Sequence, residues 1–149
     1  MKNCAAWAVL ATTVLSLLLL AASVSGCTLG GRTQVTFDQL FANPGKYNSR
    51  EISIEGFYFQ GFEIVVLSER LEYSGLAEGH LVPKGRMVWV SGGIPKEVYD
   101  ALDRQGQMGP AERYGKVRMT GKFEYGGKYG HLGGYSCEIV VTGAQLLAQ

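Results

Sequence analysis

The chain has 149 residues, of which 46% are hydrophobic and 18% charged, and its formal net charge is +1. This length suits one ordinary domain, and the composition argues against a disordered chain, a collagen, a multi-span membrane protein and a strongly basic nucleic-acid binder. Residues 1–26 contain one charged side chain, Lys2, so the rest of the chain has a net charge of about zero.

The first 27 residues have the pattern of an export signal. Lys2 precedes an apolar run from Ala5 to Ala22, which only two threonines and one serine interrupt. The next segment, Val24-Ser25-Gly26-Cys27, resembles the bacterial lipobox, in which an aliphatic residue and two small residues precede the cysteine that receives diacylglycerol. The pattern predicts a signal-peptide helix over residues 1–26, cleavage before Cys27 and lipidation of that cysteine. The alternative is an uncleaved membrane anchor with an incidental cysteine.

Lipidation of Cys27 places the protein on the extracytoplasmic side of the cell membrane or at the outer membrane, because two or more acyl chains give stable attachment. Residues 27–34 are then the lipidated cysteine and a short tether, and residues 35–149 are the folded domain. Cys4 leaves with the signal peptide, so Cys137 has no partner for an intrachain disulfide. We expect a lipid-anchored monomer whose stability comes from its core.

Alternating apolar and polar residues predict a mainly β domain after the tether. The predicted elements of its first half are a short helix, two strands joined by a hairpin, a long loop and a third strand: Thr36–Phe41, Glu51–Phe59, Gln60-Gly61, Glu63–Leu67, Ser68–Arg86 and Met87–Val90. The first strand directs Ile52, Ile54 and Tyr58 inward and Ser53 outward, and Gly56 within it predicts a sharp bend.

In the second half, a helix is predicted to begin near Pro95 and to be closed by Gly106, with Ile94, Val98 and Leu102 at helical spacing. The fourth and fifth predicted strands are Lys116–Tyr125 and Ser136–Val141. The inward residues of these two strands are Val117, Met119, Phe123, Tyr125, Cys137, Ile139 and Val141, and Gly121 marks a second bend.

Five strands, a helix between the third and the fourth, and bend glycines in the first and the fourth predict a particular fold. They indicate a Greek-key barrel like the oligonucleotide/oligosaccharide-binding (OB) barrel, preceded by the signal-peptide helix. The alternative is an open five-stranded sheet with one helix, which differs from the barrel in closure.

Three segments carry a family resemblance: Asn43–Tyr47, Glu51–Gly56 and Gly115–Gly121. They resemble small bacterial lipoproteins with an OB-like barrel of the tRNA anticodon-binding type. The resemblance covers about residues 36–147. It implies the barrel fold and no activity, because that group offers no catalytic or binding residues to carry over.

The sequence contains no constellation of residues for catalysis. His80 and His131 are the only histidines, and they lie in different predicted loops. No nucleophile elbow, zinc-protease helix, Cys-x-x-Cys pair or Walker motif is present. Cys137 lies in the middle of a strand on its inward face, where a thiol behaves as a small hydrophobe. We therefore expect no enzyme activity, no catalytic residue, no metal and no cofactor. The long predicted loop contains side chains that could hold a cation, but we expect it to be a solvated acidic loop. Those side chains are Glu69, Glu72, Glu78 and His80.

The remaining candidate site is the segment of residues 125–135, which is rich in glycine and tyrosine. Its rings suit stacking against sugars or bases, and the loop between the fourth and fifth strands lies at the ligand face of this class of barrel. The predicted ligand-binding residues are Lys128, Tyr129, His131 and Tyr135. The alternative is a β-hairpin whose glycines supply positive φ and whose tyrosines cap the barrel end.

The sequence therefore predicts a membrane-tethered, non-catalytic binding or interaction module with a protein or small-ligand partner. A protein partner favours an apolar patch of Phe57, Phe59 and Phe62, and a glycan favours the tyrosines of residues 125–135. The spacing of His131 and Tyr135 is similar to the His-x-x-x-Tyr element of the periplasmic haem chaperone of cytochrome c maturation, which implies a haem carrier as a further alternative. The near-zero net charge argues against nucleic acid.

Overall fold

The structure is a computed structural model that describes residues 32–148. The predicted signal-peptide helix and the lipidated Cys27 lie outside the described residues, as does the tether up to residue 31. Between residues 32 and 148, no helix is long and apolar enough to cross a membrane.

The described chain forms seven strands and two short α-helices. The strands are β1 (Thr33–Val35), β2 (Arg50–Gly61), β3 (Ile64–Tyr73), β4 (Leu81–Ser91), β5 (Asp103–Gln105), β6 (Glu112–Tyr129) and β7 (Tyr135–Leu146). The helices are α1 (Phe37–Ala42) and α2 (Lys96–Asp100), and single 3-10 turns lie at Pro44–Lys46 and His131–Gly133. The tether boundary predicted at residue 34 falls inside β1.

Five of these strands close into a barrel in the order β2, β3, β4, β7, β6 and back to β2. Neighbouring strands are antiparallel except β4 and β7, which are parallel. The pairing of β2 with β6, which extends from Arg50 opposite Phe123 to Gln60 opposite Arg113, closes the barrel. The open-sheet alternative is therefore wrong.

The barrel interior is filled by the inward faces of the five strands. Ile52, Ile54 and Tyr58 of β2 are buried in the core, as their alternation predicts. Burying a large apolar side chain contributes about 1.5–3 kcal/mol. The other buried strand residues of the core are Leu67, Val88, Val90, Val117, Met119, Phe123, Cys137 and Ile139.

Two glycines at which the sequence predicts bends lie where other groups approach the barrel strands closely. A Cβ on Gly121 would lie 2.3 Å from the carbonyl oxygen of Val140, where the register of β6 and β7 shifts. A Cβ on Gly56 would lie 2.8 Å from the carbonyl oxygen of Ser68 and from the ring of Phe37. Only glycine allows such close approach of backbones.

Helix α1 begins at the predicted place because its first turn is capped. The hydroxyl of Thr36 accepts a hydrogen bond from the backbone N–H of Gln39, and the Gln39 side chain accepts one from the backbone N–H of Thr36. This reciprocal pair is a capping box. The helix then buries Phe37 and Leu40 in the core, and Pro44 follows its end.

The predicted loop Ser68–Arg86 is wrong. Strand β3 continues to Tyr73 and β4 begins at Leu81, so only residues 74–80 form a loop. Much of this hairpin is exposed and carries charged side chains, so it lacks the alternation that identifies a strand with one buried face. Ion pairs stabilise it instead, such as that of Glu69 with Arg86.

The predicted hairpin at Gln60-Gly61 is displaced, because β2 runs on to Gly61 and the turn consists of Phe62-Glu63. The register explains the shift, since Gly61 still pairs with Ile64.

The helix predicted to end at Gly106 is shorter. Helix α2 ends at Asp100, and Pro95 is its N-cap rather than its first residue. Strand β5 follows directly and pairs with the start of β6, which uses the backbone groups that a longer helix would need. Val98 and Leu102 are buried in the core nonetheless.

Two residues differ in exposure from what their predicted orientation implies. The pattern predicts an inward Tyr125, but this residue is 42% exposed, because the regular pairing of β6 with β7 breaks directly after it. Ser53 is only 9% exposed although it lies on the outward side of β2, where Gln34 of β1 and Thr120 of β6 flank it.

Candidate functional site

The connection between β6 and β7 folds against the outer side of β4. Gly130 has a φ of 70°, and a Cβ there would lie 2.5 Å from the ring of Trp89 and 2.8 Å from that of Tyr135. The two rings are themselves 5.2 Å apart at an interplanar angle of 44°. Because only glycine fits between them, the loop backbone lies directly against the aromatic pair.

Trp89 belongs to an apolar layer outside the barrel. Phe59, Val66 and Trp89 are in register across β2, β3 and β4, on the side opposite the barrel core. Phe59 is only 2% exposed and Val66 is fully buried. The predicted apolar surface patch is therefore wrong for Phe59; Phe57 is half-buried, and Phe62 is exposed.

Two loops meet beside this layer. The imidazole Nε2 of His131 lies 3.3 Å from a carboxylate oxygen of Glu63 in the turn between β2 and β3. The neighbouring apolar side chains, Phe62 and Leu132, are 72% and 92% exposed. We call Phe62, Glu63, His131 and Leu132 the apolar tip.

The backbone of the apolar tip is strained. Glu63 has a φ of 58° and Leu132 a φ of 52°, in the left-handed region that favours glycine. A leucine in this conformation costs about 1–2 kcal/mol. Leu132 thus combines an unfavourable backbone with an exposed apolar side chain, and neither feature stabilises the fold.

The four predicted ligand-binding residues divide into two pairs. Tyr135 packs on Trp89, and burial raises the pKa of its hydroxyl. Tyr129 lies opposite Tyr135 on the paired strands, and its ring covers Gly127, where a Cβ would lie 2.6 Å from the ring. Lys128 and His131 are exposed. The structure thus places the two half-buried tyrosines opposite each other on paired strands and leaves the two basic residues at the surface.

The sequence analysis includes Phe62 in its apolar patch, but it missed three other parts of this surface: Trp89, Glu63 and Leu132. A signal existed for Trp89, because it lies between two core valines in a predicted strand and must therefore face outward. No local pattern brings the turn Phe62-Glu63 next to His131, because the two are far apart in the sequence.

Sequence reasoning also missed a buried polar network in the β3–β4 loop. His80 is 4% exposed; its Nδ1 lies 2.9 Å from the hydroxyl of Ser74 and its Nε2 2.9 Å from a carboxylate oxygen of Glu112. The amide of Gln105 donates to the same carboxylate at 2.7 Å and to the carbonyl of Leu81 at 2.6 Å. The network fastens the loop to β5 and β6.

Ser74, His80 and Glu112 follow one another in a hydrogen-bonded chain, as a nucleophile, base and acid do in some hydrolases. The Ser74 hydroxyl, however, also accepts the backbone N–H of Leu76 at 3.1 Å, which closes a local turn. These contacts support a structural role for the chain of residues.

The acidic residues of the predicted solvated loop are separated by their own partners. Arg86 hydrogen-bonds to Glu69 and lowers the pKa of that carboxyl to about 2. Glu72 pairs with Arg70. Among residues 32–148, no group of three or more His, Cys, Asp or Glu side chains could hold a metal ion.

Cys137 is buried in the core beside a cavity of about 140 Å³ that Leu40, Phe41 and Phe123 help to line. Burial raises the pKa of its thiol to about 11, and its Sγ lies 3.7 Å from the carbonyl oxygen of Met87. The thiol is therefore protonated at neutral pH, which suits the predicted role of a small core hydrophobe.

No protein-family model, curated protein or solved structure matches this chain.

Proposed function

We propose that this protein is a membrane-tethered, extracytoplasmic lipoprotein whose barrel is a non-catalytic module that binds a protein partner. The membrane tether is supported by Val24-Ser25-Gly26-Cys27 directly after an apolar run. The binding role is supported by one observation above all, the exposed and strained apolar tip.

We assign the barrel to the OB type and the chain to the OB-like bacterial lipoproteins that it resembles. Five strands with a single parallel pair, between β4 and β7, and a helix between the third and fourth barrel strands support this assignment. Barrels of this type bind ligands on the face of their second and third strands, between the first and the last connecting loops. In this chain those loops hold Phe62-Glu63 and residues 130–134, and Trp89 lies on the face itself.

The apolar tip suits a protein surface better than a sugar or a nucleic acid. Protein interfaces place a few apolar anchors at their centre and polar groups at the rim. Phe62 and Leu132 provide two anchors, and the paired Glu63 and His131 lie beside them. Strain at exposed residues is typical of functional positions, because folding alone does not select it.

Site-specific photo-crosslinking in intact cells tests the proposed partner. A photoreactive residue at Phe62 or at Leu132 is expected to give the same discrete protein adduct. The matched control is Leu76, which is also an exposed leucine but lies in the β3–β4 loop. Adducts of equal yield at Leu76, or adducts that persist when Leu132→Asn is combined with the photoreactive residue at position 62, would contradict the proposal.

The alternative function is that of a small-ligand carrier or chaperone, for a glycan or for haem, using residues 125–135. The packed pair of Trp89 and Tyr135, with Tyr129 beside it, supports this alternative, because aromatic rings bind sugars by stacking. A carrier must bind its cargo without a partner protein. Titration with soluble glycans or with haem should then change Trp89 fluorescence or haem absorbance, and both changes should be absent from Tyr135→Ala.

Intact mass spectrometry of membrane-extracted protein tests the tether. We expect the loss of residues 1–26 and the added mass of acyl chains on Cys27. The variant Cys27→Ala should retain residues 1–26. Wild-type protein that keeps Met1 to Gly26 would show instead that the segment is an uncleaved anchor.

A further inference from the structure

A polar trough of about 260 Å³ lies on the outer side of β1, β2, β6 and β7, away from the apolar tip. Its floor is a row of short residues in register, because Ser53 pairs with Thr120 and Thr120 pairs with Gly143. Long side chains surround this floor. The full lining is Arg32, Ser53, Arg118, Thr120, Gly143, Ala144 and Gln145.

The hydroxyl of Ser53 lies at the floor of this trough. The residue is 9% exposed, and no hydrogen bond between described residues uses its hydroxyl. Because no fully buried side-chain nitrogen or oxygen of the described residues lacks a partner, this hydroxyl reaches the open space of the trough. The hydroxyl of Ser53 is therefore available at the floor to a molecule that enters the trough.

The walls add positively charged donors. Arg118 donates through Nε and one terminal nitrogen to a single oxygen of Glu55, which fixes the guanidinium and leaves its other terminal nitrogen without a partner among the described residues. Arg32 is 3.8 Å from Glu51, beyond hydrogen-bonding distance. Neither glutamate lines the trough, and no acidic side chain does so in the described part of the chain.

The geometry points to a phosphate-binding site in this trough. Guanidinium groups and hydroxyls offer several N–H and O–H donors, and a phosphate oxygen is the acceptor that such donors bind best. The volume accommodates a phosphate group with a small substituent attached to it. The ligand class is therefore a phosphate ester.

The short separation of Arg32 from Cys27 along the chain indicates which phosphate compound the trough would meet. Arg32 follows Cys27 by five residues, which span at most about 18 Å when fully extended. If Cys27 carries lipid, as the proposed function holds, this trough lies near the bilayer surface and meets phospholipid headgroups. Phosphate binding itself does not depend on lipidation, so the two ideas can fail separately.

Chemical protection of Arg32 tests the site in the full chain. In an uncharged detergent, glycerol 3-phosphate should slow the reaction of Arg32 with phenylglyoxal, read by peptide mass spectrometry, while the exposed Arg104 should react at its usual rate. The variants Arg118→Gln and Ser53→Ala should weaken the protection by about tenfold or more. Gly143→Leu, which has open space for its side chain, should remove it by filling the trough. Absent protection, or equal protection in all variants, overturns the site.

Nanodiscs distinguish the two sources of phosphate. If headgroups occupy the trough, discs that contain phosphatidylglycerol should protect Arg32 without added phosphate, and Gly143→Leu should abolish that protection. If only free phosphate binds, protection should require glycerol 3-phosphate in the same discs. Protection of Arg104 to the same degree as Arg32 would show nonspecific shielding by the membrane and overturn the headgroup source.

Discussion

The loop of residues 74–80 and the loop of residues 130–134 both connect long barrel strands, but they differ in their contacts with the rest of the domain. The first is fastened by a buried histidine whose two ring nitrogens have partners on different elements. The second rests on Trp89 through one glycine and presents a strained leucine to solvent. The contacts of the first loop therefore stabilise the fold, whereas the second loop retains a conformation that selection for stability alone would remove.

The largest effect is expected from His80→Ala in the fastened loop. The change removes the ring that joins Ser74 to Glu112 and leaves Glu112 with Gln105 alone, so the free energy of unfolding should fall by about 2–3 kcal/mol. Chemical denaturation measures this loss. In the same loop, Glu78→Ala alters an exposed side chain and should change stability by less than about 0.5 kcal/mol. Equal effects of the two variants would show that the network does not fasten the loop.

The next effect is expected where the second loop touches the barrel. Gly130→Ala forces a Cβ into the ring of Trp89 and strains a positive φ, so it should cost about 2 kcal/mol. Trp89 is the only tryptophan after residue 26, and its emission should shift to the red in a chain of residues 31–149. Gly134→Ala is the matched control, because its φ is −74° and the nearest atom to its Cβ is 3.5 Å away. An unshifted emission would place the loop away from Trp89.

A smaller effect of opposite sign is expected from Leu132→Asn. Asparagine tolerates the left-handed conformation, so the variant should be more stable by about 1 kcal/mol while it loses the partner adduct. Leu76→Asn, at a residue without positive φ, should give no such gain. A destabilised Leu132→Asn protein would mean that the leucine side chain supports the fold, and the contrast between the two loops would fail.

The smallest effect concerns the stability of the protein at acid pH, through an ion pair between the strands β3 and β4 that lead to the first loop. Arg86 holds the pKa of Glu69 at about 2 in the folded chain, below its ordinary value of 4.5. The ion pair therefore stabilises the fold above pH 4.5, and this contribution is lost as the pH falls from 4.5 towards 2. In Glu69→Gln, the denaturation midpoint should depend less on pH over that range. Glu78→Gln should leave the pH dependence of the midpoint unchanged. An unaltered pH dependence in Glu69→Gln would show that the ion pair does not contribute to stability.

The sequence predicted the parts of the fold that depend on short-range patterns. Alternation identified most inward residues of β2 and β6, and glycine occupies two positions, 56 and 121, where a neighbouring strand leaves no room for a side chain. It failed for the hairpin of β3 and β4, because charged residues on exposed strands give no alternation. It failed in the same way for Tyr125, whose inward position in the pattern lies where the strand pairing breaks.

The candidate site was predictable only in part. The glycine-rich segment contains the loop that lies against Trp89, and Lys128, Tyr129, His131 and Tyr135 all lie in or beside that loop. That Tyr135 packs on Trp89 while Leu132 is exposed could not be predicted, because exposure depends on which neighbours cover a side chain. Trp89 was in a predicted strand, but its contact with Gly130 joins residues 41 positions apart in the sequence.

Short-range patterns in the sequence are sufficient to assign most inward residues of β2 and β6, the start of α1 and the segment that has the pattern of a lipid anchor. Each of these depends on residues within a few positions of one another, so local backbone geometry and side-chain type are sufficient. Three features emerge only in the folded chain: the closure of the barrel, the apolar tip and the position of Ser53 at the floor of a trough. Each of those joins strands or loops from distant parts of the chain, and their pairing follows from the packing of the whole domain.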